Sequence, residues 1–392
     1  MNSSQPISGD SRLVLIVAGE ASADLHGSNL VTAIKGIDPT VIFKGIGGEK
    51  MRKAGVELLA SSSDMAVVGL TEVFSKLSFI LRAAKKIKSS LKNDHPDLLI
   101  LIDYPEFNIH IAGTAKRYNV PVLYYISPQI WAWRKGRIRK IARRIDRMAV
   151  ILPFEKDFYR KSPLKVDYVG HPLLDTLPQD QDKAKVIAEL DVEQSYPVVG
   201  LLPGSRKDEI KNLLPVMVDA AGILRKKYPQ LRCALPLAPG ISREFVQPFI
   251  EISKVSIRLY RGDIYNLLNI CDAAMVTSGT ATLQVAIMGV PMVIVYKMSP
   301  LSYHAARLFI DVPFIGLVNL VGGERVATEL IQDQVTPQRL ADEVGFILED
   351  KKARETMINK LMLVRDRLGK GGASLQTARI ALEMMDSKRE KN

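Results

Sequence analysis

The 392 residues are 47% hydrophobic and 24% charged, and 54 Lys and Arg against 42 Asp and Glu leave a formal charge of +12. This balance excludes a disordered chain, and 26 glycines with 21 prolines exclude collagen-like and low-complexity classes. Two cysteines, Cys233 and Cys271, form no CxxC pair and so give neither a disulfide framework nor a zinc site, which fits a reducing cytoplasm.

The length corresponds to about two domains. The first residues, MNSSQPISGDSR, lack the basic start and apolar stretch of a secretion signal, and no apolar run reaches the roughly 18 residues of a membrane span. A soluble or peripheral protein is expected. The positive excess asks for an anionic partner, and charge alone leaves nucleic acid, phosphate groups and an acidic membrane surface open.

In chain order, LVLIVA (13 to 18) is short, nearly unbroken and apolar, as expected of a strand buried on both faces. Glu20 and Asp24 follow it. Carboxylates just beyond a strand act as general bases where they reach a substrate hydroxyl, or else cap the next helix. GIGGEKMRKAG (45 to 55) does not satisfy GxGxxG, and no GxxxxGK[ST] occurs, so neither a dehydrogenase nor an ATPase is supported. Between 65 and 88, Val68, Leu70, Val73, Phe74, Leu77, Phe79, Ile80 and Leu81 precede Arg82, Lys85, Lys86 and Lys88. That pattern suits a segment dipping into an anionic bilayer surface, and equally a core helix.

LLILI (98 to 102) is the next buried strand, with Asp103 directly after it as a candidate base; VLYYI (122 to 126) and MAVIL (148 to 152) follow. Between them, eight Lys or Arg lie from Arg134 to Arg147, while Ile138, Ile141, Ile145 and Met148 recur at helical spacing. One helix is expected, its bases fanned over a solvated face or over an anion-attracting surface beside Trp131 and Trp133. Residues 176 to 197 read as a polar linker with one short helix. The single DxD, Asp180 and Asp182, lies there and not after a strand, so no metal site is expected.

The second half repeats the design: VVGLL (198 to 202), AAMV (273 to 276) and MVIVY (292 to 296) are its buried strands. In LLPGSRKDEI (201 to 210), Gly204, Ser205 and Arg206 open a helix whose free N–H groups and dipole suit an anion, with the Arg206 fork for phosphate oxygens; a plain cap at Ser205 is the alternative. Ser278, Gly279 and Thr280 open another helix in the same way, and Gln284 lies one turn in, within reach of a ribose. Alternating strands and helices give an α/β chain of two Rossmann-like domains facing a central cleft at their strand carboxyl ends. The expected limits are 1–171, 172–352 and a C-terminal helical segment, 353–392, packed back on the first domain or on a second subunit of a homodimer.

Taken together, VAGEASADLHG (17 to 27), GIGGEKM (45 to 51), VVGLTEV (67 to 73), IDYPEFN (102 to 108), SPQIWAWR (127 to 134), LPFEKDFY (152 to 159), GHPLLD (170 to 175), LLPGSRKDEI, SGTATLQ (278 to 284) and NLVGGERVATELIQ (319 to 332) resemble the lipid-A-disaccharide synthase family of B-type glycosyltransferases. The resemblance implies inverting, metal- and cofactor-independent transfer of 2,3-diacylglucosamine from UDP-2,3-diacylglucosamine to 2,3-diacylglucosamine 1-phosphate. It implies Asp103 as the base and Arg206 as the group meeting the departing UDP. It further implies substrate or nucleotide contacts at Glu20, Ser22, Asp24, Gly204, Ser205, Ser278, Gly279, Thr280, Gln284, Asn319, Glu324, Arg325 and Glu329. Membrane or acyl-chain contact falls to Val68, Leu70, Val73, Phe74 and Leu77, with the enzyme peripheral on the cytoplasmic face of the inner membrane. Three positions depart from the family pattern: Ala23 for glycine, Glu106 for aspartate and Gln284 for glutamate. The alternatives are another B-type UDP-sugar enzyme, such as a cell-wall N-acetylglucosaminyl transferase or a 2-epimerase, and a non-catalytic basic nucleic-acid binder. The last lacks any recognisable binding motif.

Overall fold

The computed structural model describes residues 12–62, 73–133, 135–178, 183–190, 196–251, 255–299, 303 and 312–390. It divides into two compact units, one of residues 1–175 with 370–392 and one of residues 176–369. The first unit is built on a parallel sheet of β1 (Arg12–Ala18), β2 (Val41–Gly47), β3 (Val56–Ser61), β4 (Leu98–Ile102), β5 (Val122–Tyr125), β6 (Arg147–Val150) and β7 (Lys165–Tyr168). Their spatial order is β3-β2-β1-β4-β5-β6-β7. β4 and β5 are buried along their whole length, as their unbroken Leu, Ile, Val and Tyr require with helices on both faces. The chain steps outward in one direction from β1 and in the other from β4. Ala18 is in register with Ile102, so the residues that follow these two strands emerge side by side at the switch point.

The second unit carries β8 (Val198–Leu202), β9 (Arg232–Pro236), β10 (Ile257–Tyr260), β11 (Ala273–Thr277), β12 (Met292–Tyr296) and β13 (Thr328–Ile331). The order is β10-β9-β8-β11-β12-β13, again parallel, and the reversal falls between β8 and β11. The stretch read as a linker is partly structured into this unit. Its helix Lys183–Leu190 buries Val186 and Leu190 against Val198, Ala234, Tyr260, Leu267 and Ile270. Burial of such side chains contributes roughly 1.5–3 kcal/mol each. Asp180 and Asp182 lie outside the described residues.

The C-terminal segment is divided between the units. Helix Lys351–Arg367 packs on helices Thr280–Ile287 and Leu317–Gly322 of the second, whereas helix Ala373–Arg389 packs on helix Ala21–Ile37 of the first. Asp175 fixes the return of the chain: Oδ1 accepts the N–H groups of Gly372 (2.6 Å) and Ala373 (3.3 Å), and Oδ2 accepts that of Ser374 (3.0 Å). A carboxylate on three amides at a helix N-terminus satisfies donors that have no partner within the helix.

The basic stretch from 134 to 147 is not one helix. Helix Ile138–Ala142 is short, and Met148 sits in β6. Arg147, expected on a solvated face, is a buried strand residue, paired with Asp167 at 2.6 Å and Glu383 at 2.7 Å. Arg137 pairs with Glu106 at 2.5 Å, and Arg144 donates to the Ile109 carbonyl. The spacing of Ile141, Ile145 and Met148 marks burial, but a turn and a strand start divide the burial between elements.

Asp175→Ala is expected to lower stability by about 1–2 kcal/mol through the lost cap. Urea unfolding followed by circular dichroism measures it; an unchanged midpoint would contradict this role.

Candidate active site

Asp103 leaves the end of β4 in left-handed backbone (φ 48°), and Tyr104 follows in the same region (φ 45°). Two such residues in succession, neither glycine, are sterically costly. The strain is held from one atom. The Asp103 carbonyl oxygen accepts Asn108 Nδ2 at 2.7 Å and the Tyr124 hydroxyl. Asn108 is fully buried and also donates to the Ile102 carbonyl at 3.1 Å. The Tyr104 ring lies so close to Gly19 that a Cβ there would stand 2.6 Å from it, which requires glycine in the GEAS turn.

The turn leaves the Asp103 carboxyl beside Glu20. Burial, first, and the negative charge of Glu20 push Asp103 up to about 6, against a smaller opposing effect of a hydrogen bond from the Tyr104 backbone. Glu20 itself is exposed at the N-cap of helix Ala21–Ile37 and makes no side-chain cap bond. Ser22 is exposed in the first turn of that helix. Asp24 is committed elsewhere: its oxygens accept the N–H groups of Gly48 (2.7 Å), Lys50 (3.1 Å) and Met51 (3.1 Å). It fixes the GIGGEKM turn, so the site acids brought together are Asp103 and Glu20. Ala23 is buried in the same helix.

Trp131, beside which the sequence allowed an anion-attracting surface, is 6% exposed and lies edge-on to Phe154. Its Nε1 donates to Glu155 Oε1 at 3.1 Å. Glu155, at 1% exposure, lies in the stretch LPFEKDFY (152 to 159), where no sequence feature marks it as a partner of Trp131. The side chains of Trp133 and Arg134 lie outside the described residues.

In the second unit, Gly204 turns at φ 113° against Glu209, whose Oε2 a Cβ would meet at 2.2 Å. Glu209 Oε2 accepts the N–H groups of Ser205 (3.1 Å) and Arg206 (3.2 Å), and Oε1 accepts Arg206 Nη1 (3.3 Å). The amides expected to be free for an anion are thus held by the carboxylate of the helix's own third residue. Arg206 is exposed, and the Tyr296 phenol at the end of β12 feels both its charge and that of Glu209.

Ser278 follows β11 and donates through Oγ to the Ile315 carbonyl at 2.7 Å. Gly279 caps helix Thr280–Ile287 with open space on the side where a Cβ would point, and Thr280 is exposed. Gln284 lies beside the buried phenol of Tyr265. Glu329 accepts Ile315 N (3.0 Å), Gly316 N (2.8 Å) and Asn319 Nδ2 (2.9 Å). Asn319 is fully buried, and its Oδ1 accepts Val326 N and Ala327 N. Asn319 and Glu329 therefore clamp the loop that meets Ser278. Glu324 pairs with Lys360 at 2.5 Å, and Arg325 is exposed.

Val68 and Leu70 lie outside the described residues, as do the side chains of Val73, Phe74 and Leu77 within helix Val73–Asn93. Further along, Ala83, Ala84, Ile87 and Leu91 join the core while Leu81, Arg82, Lys85 and Lys86 are exposed. Among the described residues, no helix is long and apolar enough to cross a membrane, and no group of three or more His, Cys, Asp or Glu side chains could hold a metal ion.

The raised Asp103 has a consequence for stability. The carboxyl is held above its unfolded value near 4, so its contribution is fully present below about pH 4 and is lost as pH rises through about 6. Asp103→Asn removes that loss and is expected to stabilise the fold at pH 7.5 by about 1–3 kcal/mol, with a smaller gain at pH 5. Thermal unfolding at both pH values checks this; equal gains would contradict the raised carboxyl.

The lipid-A-disaccharide synthetase family model matches residues 14–379. The lipid-A-disaccharide synthase of Geobacter metallireducens is 49% identical over 376 residues, covering 96% of this chain and 98% of that protein. The enzyme of the same name from Geobacter sulfurreducens is 46% identical with the same coverage. Among solved structures, a UDP-GlcNAc 2-epimerase from Neisseria meningitidis bound to UDP-GlcNAc superposes with a TM-score of 0.63 at 12% identity, over 95% of this chain and 100% of that one. The calicheamicin glycosyltransferase CalG4 gives 0.62 at 12% identity, over 96% and 99%. These structural likenesses are of fold, the two-domain glycosyltransferase B type. With nearly the whole chain matched at this level of identity, it belongs to the lipid-A-disaccharide synthase family.

Proposed function

We propose that this glycosyltransferase moves 2,3-diacylglucosamine from UDP-2,3-diacylglucosamine to the 6-hydroxyl of 2,3-diacylglucosamine 1-phosphate, releasing UDP and the tetraacyl disaccharide 1-phosphate. The observation that carries the reading is the Asp103 carboxyl, raised to about 6 at the β1/β4 switch point. Such a group is ionised at neutral pH yet more basic than a surface carboxylate, which is what a general base for a sugar hydroxyl needs. Asp103 takes the proton of the 6-hydroxyl as its oxygen bonds to the anomeric carbon. The bond from that carbon to the UDP oxygen breaks on the opposite side, so the configuration inverts.

The departing charge is met by Arg206 and the starts of helices Lys207–Lys227 and Thr280–Ile287. The diphosphate takes the place of the Glu209 carboxylate at the Ser205 and Arg206 amides, and Gly279 leaves room for close approach. Gln284 faces the ribose, with Asn319 and Glu329 holding the loop behind Ser278 and Arg325 with Glu324 at its rim. Glu20 tunes Asp103.

The substrates are lipids. A chain with about a dozen buried methylenes at roughly 0.8 kcal/mol each stays in its bilayer, so the protein comes to the membrane surface. The apolar residues from Val68 to Leu77 and the exposed bases Arg82, Lys85 and Lys86 make that approach at the cytoplasmic face, each base adding about 1 kcal/mol near anionic lipid.

Incubation with both lipid substrates in the presence of a chelator is expected to yield disaccharide and UDP in equal amounts. Asp103→Ala is expected to reduce turnover by about 100-fold or more while leaving UDP affinity unchanged. Product formed only with added divalent metal, or full turnover by Asp103→Ala, would overturn the mechanism.

A further inference from the structure

A buried acid stands behind the β5 end of the site, and nothing in the transfer chemistry accounts for it. Glu155 lies in the first turn of helix Pro153–Tyr159, after β6, with 1% of its surface exposed. Oε2 accepts the N–H groups of Leu152 (3.0 Å) and Ile151 (3.3 Å), and Oε1 accepts Trp131 Nε1 (3.1 Å). Ser127 is a further hydrogen-bond partner. Ser127 Oγ lies 2.9 Å from the Tyr159 hydroxyl, and Tyr159 in turn is close to Tyr124, the residue that donates to the Asp103 carbonyl.

These contacts bracket one segment. Residues 126 to 133 run from the end of β5 into helix Ile130–Trp133, and β5 is the hydrogen-bonded neighbour of β4, which ends at Asp103. The segment opens with Ile126 at φ 67°, a region that a β-branched residue enters only when its surroundings impose it. Ile126 N–H is tied to the Ala149 carbonyl at 3.0 Å, and Ser127 and Trp131 are tied to Glu155. A cap of this helix needs no buried charge: Ser, Thr, Asn or an exposed Asp serves. A fully buried carboxyl without a cation among its described partners is costly, and such costs persist mainly where function requires them.

We infer that Glu155 is a positioning residue for sugar transfer, holding the 126–133 segment beside Asp103 through Trp131 and Ser127, and that the ionised carboxylate is the form that holds it. The inference rests on the transfer reading above. Burial pushes Glu155 up to about 7, against opposing hydrogen bonds from Leu152, Trp131, Ile151 and Ser127. Among the described residues, the titratable groups facing it are Tyr159 on its own helix and Tyr168 on β7. Burial raises both phenols, Tyr168 to about 12, so both stay neutral across the assay range. As pH falls through about 7, Glu155 gains a proton and one oxygen ceases to accept from its N–H donors. The segment is then released before Asp103 itself is protonated near 6.

The test joins kinetics to emission. The chain has two tryptophans, one of them bonded to Glu155, so wild-type emission is expected to titrate with a midpoint near 7 and Glu155→Gln to abolish that change. In the same variant kcat/KM for the acceptor should fall about 10- to 100-fold, with UDP affinity unchanged. The acid limb of the wild-type pH profile should approach a two-proton slope, and that of Glu155→Gln a one-proton slope with a midpoint near 6. A folded Glu155→Gln protein with wild-type kinetics and slope overturns the inference, as does wild-type emission that is flat through pH 7. If the variant does not fold, Trp131→Phe removes the N–H and keeps a ring; a fall of about tenfold in acceptor kcat/KM supports the role, and no fall overturns it. If the wild-type protein transfers no sugar at all, the reaction reading fails, while the emission titration still decides whether Glu155 ionises against Trp131.

Discussion

Two consecutive residues at the end of β4 occupy left-handed backbone, a conformation costing a non-glycine residue of order 1–3 kcal/mol, and a single carbonyl oxygen receives the donors that sustain it. Asn108 returns from the first turn of the following helix and Tyr124 reaches across from β5. The turn throws the Asp103 carboxyl out at the switch point, and it requires Gly19 because the Tyr104 ring fills the space that a Cβ would take. From that geometry follow the burial of Asp103, its closeness to Glu20 and its raised titration. The placement of the Asp103 carboxyl thus depends on a hydrogen-bond pair made to the main chain rather than to the carboxyl itself.

Both units handle charge at strand ends in the same way. At four helix starts a carboxylate of the chain takes the bare amides: Asp24 at Gly48, Asp175 at Gly372, Glu155 at Leu152, Glu209 at Arg206. All four carboxylates are buried or half-buried, and Asp24, Asp175 and Glu155 hold packing in place. Glu209 differs in having an exposed arginine beside it and, in Gly204, a backbone turn pressed against its side chain, so it stands where a diphosphate has the same donors to gain. The positive excess is likewise uneven. Arg147 is spent inside the first unit, whereas the bases of helix Val73–Asn93 remain on its surface.

The central strands β1, β4, β5, β6, β8, β11 and β12 are legible in the sequence because burial on both faces demands unbroken apolar runs. The strands β2, β3, β7, β9, β10 and β13 escape it: the edges β3, β7, β10 and β13 admit Glu57, Asp167, Arg258 and Glu329, and β2 and β9, next to an edge, still carry Lys44 and Arg232. Asp103 and Glu20 could be picked out as acids placed directly after a strand. Asn108, Tyr124 and Glu155 could not, because each is defined by a partner brought close only by the fold, as Glu155 is by Trp131, 24 residues away. The helical spacing from Ile138 to Met148 misled for a related reason: successive buried positions belonged to a helix, a turn and a strand.

Burial and the charge of Glu20 raise the Asp103 carboxyl proposed as the base of the transfer. The direct measurement is the carboxyl carbon resonance of Asp103 followed by NMR through pH, in the wild-type protein and in Glu20→Gln. A midpoint near 6 that moves down when the neighbouring charge is removed is the predicted result. A midpoint near the ordinary value of 4, or one indifferent to Glu20, would contradict it.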